Sequence, residues 1–117
     1  MQLDPERCRS LLFVPAGNER FLNSALRGEA DVIQIDLEDA IAPNQKDVAR
    51  EHAKKDIAAI VSAGRAVSIR VNAEKSLLEN DLDAIVSPGL SALTIPKVEN
   101  AEMVKELDDQ VTRLEEN

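Results

Sequence analysis

Aromatic residues are almost missing. Of 117 residues two are phenylalanine, Phe13 and Phe21, and there is no tryptophan or tyrosine. A core must therefore be aliphatic, and stacking platforms for single-stranded nucleic acid are excluded. Cationic excess is lacking too. Fourteen Lys and Arg face 22 Asp and Glu, for a formal charge of −8. Such a surface repels phosphate backbones, so no nucleic-acid partner is expected, although a local basic site for a small anion remains open. The single cysteine, Cys8, cannot form an internal disulfide, and with one histidine, His52, no Cys/His zinc cluster is available. No stretch approaches the ~20 apolar residues of a membrane span. The first residues, Met1 to Glu6, are polar and carry no apolar signal core. The expectation is a cytoplasmic protein with no membrane partner.

What is present is a core-forming composition, 44% hydrophobic and 31% charged. It suits one folded domain over residues 1–117, with no linker or low-complexity tract to divide it. Short apolar runs alternate with segments of helical periodicity. Ser10–Val14 (SLLFV) reads as a buried strand closed by Pro15 and Gly17. Asn18 then caps a helix bearing Phe21, Leu22, Ala25 and Leu26, which Gly28 ends. Val32–Leu37 is a second strand. Asn44 with Asp47 three residues on reads as a box-like start to a helix, whose stripe is Val48, His52 or Ala53, Ile57, Ile60 and Val61 before Gly64. Ala66–Val71 is a third strand, followed by a looser helical segment with Leu78, Leu82, Ile85 and Val86. Leu90–Ile95 is a fourth strand, and Asn100 caps a last helix with Met103, Val104, Leu107, Val111 and Leu114. Strand–helix alternation implies an α/β fold of parallel βαβ units. Two architectures fit: an open doubly wound sheet, or four of the eight units of a TIM-type barrel, which needs about 250 residues when complete.

Polar residues gather where the strands end: Asp36, Glu38 and Asp39 after the second, Arg70 and Asn72 after the third, Lys97 after the fourth. The C-terminal edge of a parallel sheet is where ligands bind. Asp36 and Arg70 interrupt apolar strands, and a buried ion needs a partner. Neighbouring strands lie about 4.8 Å apart, so Arg70 can reach Asp36, Glu38 or Asp39. That pairing is either a salt bridge closing the sheet edge or the anchor of a substrate anion, which the planar fork of arginine suits. Lys97 is either a second cationic contact or a solvated loop residue, and Asn72 orients a neighbour or the loop. His52, among charged neighbours, is expected on an exposed helix face. The loop Pro15–Phe21 has no glycine pattern for a nucleotide.

Four segments in this order, RSLLFVP at 9–15, DLEDA at 36–40, RVN at 70–72 and IPKVE at 95–99, resemble the citrate lyase β-subunit family of the HpcH/HpaI aldolase superfamily. That group includes citryl-CoA, malyl-CoA and methylmalyl-CoA lyases. The resemblance implies a (β/α)8 barrel assembled as a homo-oligomer, and Mg²⁺-dependent cleavage of an acyl-CoA to acetyl-CoA and a 2-oxo acid. It implies Arg70 as the substrate-binding arginine, with Glu38 and Asp39 as the acidic catalytic motif that holds it. It implies Arg9 and Lys97, with the Pro15–Arg20 loop, as residues toward the CoA; Asp36 and Asn72 join them as substrate-side candidates through their place at the strand ends. The family's direct metal ligands are a Glu and an Asp on strands five and six, so no metal ligand is expected here, and Glu99 and Glu102 are not those residues. A half-barrel would carry open edges and is expected to self-associate. The other readings are a non-catalytic half-barrel serving assembly or ligand binding, and a metal aldolase that does not use CoA.

Overall fold

The computed structural model describes residues 3–117. After a short 3-10 turn at Pro5–Arg7 come four strand–helix units. They are β1 (Leu11–Pro15) and α1 (Glu19–Arg27), β2 (Val32–Asp36) and α2 (Lys46–Ser62), β3 (Ala66–Arg70) and α3 (Lys75–Ile85), β4 (Ala92–Thr94) and α4 (Ala101–Glu115). The strands form one parallel sheet in the order β1-β2-β3-β4. A doubly wound sheet reverses direction at a switch point. This one does not, and with right-handed crossovers a sequential order puts every helix on the same face. The winding is that of a barrel, not of an open doubly wound sheet.

Register separates two faces. Val14, Ile35, Ile69 and Leu93 lie in one cross-strand row. With Ile33, Leu37, Val67 and Val71 they pack against Leu22 and Ala25 of α1, Ala53, Ile57 and Ile60 of α2, Leu82 and Ile85 of α3 and Val111 of α4. Each fully buried aliphatic side chain contributes about 1.5–3 kcal/mol, so this aliphatic layer holds the domain without aromatic help. The alternate rows, Phe13–Gln34–Ser68–Ala92 and Pro15–Asp36–Arg70–Thr94, make a polar face away from the helices. There the Gln34 Oε1 accepts hydrogen bonds from Ser68 Oγ (3.1 Å) and Thr94 Oγ1 (2.7 Å).

Helix starts follow the capping residues at two of the predicted points. Asn18 accepts from the Phe21 N–H, and Asn100 from the Met103 N–H. The second start differs. Pro43–Gln45 forms a 3-10 turn, α2 begins at Lys46 with no side-chain cap, and Asp47 pairs with Arg50 instead of closing a box with Asn44. Proline fixes the turn before Asn44 can serve as the cap. The fourth strand is shorter than Leu90–Ile95. Leu90 is buried in the preceding turn, and Ser91 pairs with Val67 through both its N–H and its hydroxyl.

Candidate functional site at the C-terminal sheet edge

The parallel ladder continues just past the strand ends. Ala16, Leu37 and Val71 donate N–H bonds to the carbonyls of Asp36, Arg70 and Thr94. The residues that follow are therefore carried side by side on one edge. Arg70 lies in register with Asp36 and donates Nε to Oδ1 at 2.9 Å and Nη2 to Oδ2 at 2.7 Å. This is a two-pronged arginine–carboxylate pair, the geometry in which the guanidinium is held most firmly. Asp36 also accepts the N–H groups of Glu38 (2.9 Å) and Ala40 (3.1 Å). Burial pushes its carboxyl up, but the Arg70 hydrogen bonds and the two N–H bonds outweigh burial and hold it below the usual carboxylate range. On the other partner, the hydrogen bonds to Asp36 lead in holding the guanidinium charged.

Glu38, itself buried, stands between two cations. Its Oε2 meets Lys97 Nζ at 2.9 Å and its Oε1 meets Arg70 Nε at 3.6 Å. That hydrogen bond raises the Lys97 ammonium above its ordinary value. Lys97 adopts φ 56°, the one positive φ outside glycine among the described residues. A lysine held in the left-handed region carries strain of order 1–3 kcal/mol, a cost that gathers at functional sites. On the other side, the Arg70 guanidinium lies 4.7 Å from the centre of the Phe13 ring, within range of a cation–π contact. Arg70 thus has a carboxylate at two of its nitrogens and a ring over its face, and its side chain stays 23% exposed. Nη1 is the part of the fork left for a ligand.

Asn72 is buried and donates Nδ2 to the Leu37 carbonyl (3.1 Å) and to Asp81 Oδ2 (2.7 Å). Asp39 is exposed beside the cluster and adds negative charge to the surroundings of Arg70 and Lys97. A cleft of about 390 Å³ opens here, lined by Glu38, Asp39, Lys46, Asn72, Glu74 and Lys97 among others. Six of the seven residues singled out in the sequence therefore meet at one edge. Arg9 does not. It precedes β1, at the opposite end of the sheet, where Nε and Nη2 grip Asp31 at 3.0 Å each. The Arg9 hydrogen bond draws the Asp31 carboxyl down to about 2. The N-terminal end of such a sheet generally serves stability, and the Arg9–Asp31 pair stands there, away from the cluster.

Divalent-metal binding does not suit these carboxylates. Both oxygens of Asp36 are taken by Arg70 and two N–H groups, and each oxygen of Glu38 faces a cation. Among the described residues no group of three His, Cys, Asp or Glu is placed to hold a metal ion. No helix among them is long and apolar enough to cross a membrane.

Several supporting residues were not foreseen. Asp81 sits on α3, wholly buried, between Asn72 and Arg50. Its signal was available: it falls on the same helical face as Leu78, Leu82 and Ile85. Lys46 donates Nζ to the carbonyls of Leu37 (2.8 Å) and Glu38 (2.5 Å). Asp56 of α2 accepts the Gly17 N–H at 2.9 Å and so ties down the loop after β1. Nothing in the spacing of Lys46 or Asp56 announces these contacts, because both reach across a βα loop.

Known proteins resemble the chain over nearly all of it. It is 32% identical over 108 residues to the citrate lyase subunit beta of Leuconostoc mesenteroides, covering 92% of this chain and 36% of that protein. It is 36% identical over 94 residues to a (3S)-malyl-CoA thioesterase of Cereibacter sphaeroides, covering 80% of this chain and 33% of that one. Among solved structures, CitE from Mycobacterium tuberculosis in complex with magnesium, acetoacetate and coenzyme A matches with TM-score 0.66 and 33% identity, over 83% of this chain and 35% of that one. A Haloferax volcanii malate synthase superposes with TM-score 0.82 at 20% identity, covering 98% of this chain and 38% of that one, a likeness of fold. The chain spans about a third of the length of these relatives, 33–36% for the two compared by sequence. The model of the HpcH/HpaI aldolase/citrate lyase family matches residues 9–117, and the chain belongs to that family.

Proposed function

We propose that this chain supplies the anion-binding part of a carbon–carbon lyase that acts on CoA esters such as citryl-CoA or malyl-CoA, releasing acetyl-CoA and a 2-oxo acid. The observation that carries the reading is Arg70, locked by Asp36 at the C-terminal sheet edge with one nitrogen left for a ligand. A preorganised guanidinium accepts a carboxylate or 2-oxo acid without reorienting, which is what stabilises charge developing during bond cleavage. Lys97, charged and beside Glu38, gives a second positive contact for a dicarboxylate. Glu38 keeps both cations at a fixed spacing, and Asp39 and Asn72 border the cleft. The magnesium that the family resemblance implies finds no fitting ligand set in these residues. Assembly into a homo-oligomer and a cytoplasmic setting belong to the same reading.

The test is a calorimetric titration of the 117-residue chain with oxaloacetate. Binding weakened about tenfold or more by Arg70→Lys is expected, since a charge-assisted hydrogen bond is lost while the charge is kept. Equal affinity in the variant would remove Arg70 from the role. A parallel assay with citryl-CoA and malyl-CoA, reading 2-oxo acid release, tests whether the chain turns over.

A further inference from the structure

Glu38 is fixed through its main chain as well as its carboxylate. Its N–H donates to Asp36, and its carbonyl and that of Leu37 converge on the Lys46 ammonium. The Leu37 carbonyl takes a second hydrogen bond from Asn72 Nδ2. Asn72 is in turn gripped twice by Asp81 Oδ2, through its N–H at 2.9 Å and its Nδ2 at 2.7 Å. Asp81 Oδ1 accepts from Arg50 Nε at 2.6 Å. Donors from α2 and from just past the end of β3 thus meet at the Leu37 carbonyl.

We propose that Lys46 and Asn72, the latter braced by Asp81 and Arg50, act as positioning residues: they clamp the Leu37–Glu38 peptide so that the Glu38 carboxylate stays between Arg70 and Lys97. One feature favours this over plain stabilisation. Both clamp residues bind main-chain carbonyls of the site segment itself, not of a neighbouring helix. The inference rests on the reading of Arg70, Glu38 and Lys97 as one anion site, but its test needs no substrate.

Lys97 reports where Glu38 is. Paired with Glu38 its amine stays protonated, and an amine attacks an arylating reagent, displacing sulfite from trinitrobenzenesulfonate, only when neutral. The rate of Lys97 modification by trinitrobenzenesulfonate, read peptide by peptide in a mass spectrometer with exposed Lys75 as internal reference, is the measurement. Glu38→Gln is expected to raise the Lys97 rate about two- to fivefold, the range an exposed ion pair supports. Lys46→Met is expected to raise it comparably, and Lys46→Arg to restore it. Asn72→Ala provides a second route to the same rise. If Lys46→Met lowers the melting temperature but leaves the Lys97 rate at the wild-type value, the clamp is structural only and the proposal falls. It falls equally if Glu38→Gln leaves that rate unchanged, since Glu38 would then not be held at Lys97. A failed oxaloacetate titration beside a positive labelling result would overturn the anion site and leave the clamp standing.

Discussion

At the residue scale the Asp36–Arg70 pair sets a pH signature. The folded state holds the Asp36 carboxyl below its unfolded value, so its contribution to stability is complete above that value, near 3.9, and fades as pH falls through the folded one. Asp36→Asn is expected to cost about 1.5–3 kcal/mol at pH 7, the range for hydrogen bonds to a charged group. The gap to wild type should narrow below about pH 4, measured as urea midpoints across pH 2.5 to 7. A gap that holds constant to pH 2.5 would show that the Asp36 charge contributes nothing to it. Gly17 makes a second residue-scale prediction. Its φ is +82°, and a Cβ there would lie 2.8 Å from the His52 ring. Gly17→Ala should destabilise by about 1–3 kcal/mol. Only part of this should return in a His52→Ala background, because the backbone conformation stays unfavourable to alanine. Thermal melts of the two single variants and the double variant decide it.

Elements show where sequence reading succeeds. Strands two and three were legible because both faces are covered or paired, so their residues form nearly unbroken apolar runs. Asp36 and Arg70 stood out against that background. The starts of α1 and α4 were legible from single asparagines whose caps are local. The start of α2 was misread because Pro43 imposes a 3-10 turn. The clamp of Lys46, Asn72 and Asp81 was missed for a related reason. Its members are 8 to 35 residues distant from their partners, and no periodicity records such a contact. Arg9 shows the converse: its motif is plain in the sequence, but only the strand direction places it at the N-terminal end of β1, away from the cluster. Asp81 of α3 is fully buried and pairs with Arg50 of α2. Asp81→Ala leaves a buried guanidinium short of its carboxylate and should cost about 3–5 kcal/mol. Leu82→Ala, next to it and equally buried, should cost about 2–5 kcal/mol through the cavity it leaves. Chemical denaturation should give both, and a loss under 1 kcal/mol for Asp81→Ala would mean the helices are held by their apolar contacts alone.

For the whole molecule, the sequence announced four parallel units but not their winding, which rests on strand order. Sequential order leaves β1 and β4 as the two outer strands, each with one unpaired side. On β1, Leu11, Leu12 and Phe13 are 46%, 43% and 49% exposed. Apolar side chains along an unpaired edge favour association. Light scattering of the chain should therefore show a mass above 12.8 kDa that rises with concentration, and Leu12→Lys should lower it. A concentration-independent monomer would show that the edges are protected in another way. The same strand order bears on synthesis. Each strand pairs with the one just before it, so every partner has already left the ribosome when the next strand emerges. Within these four strands the sheet can grow in the direction of translation, one βα unit at a time.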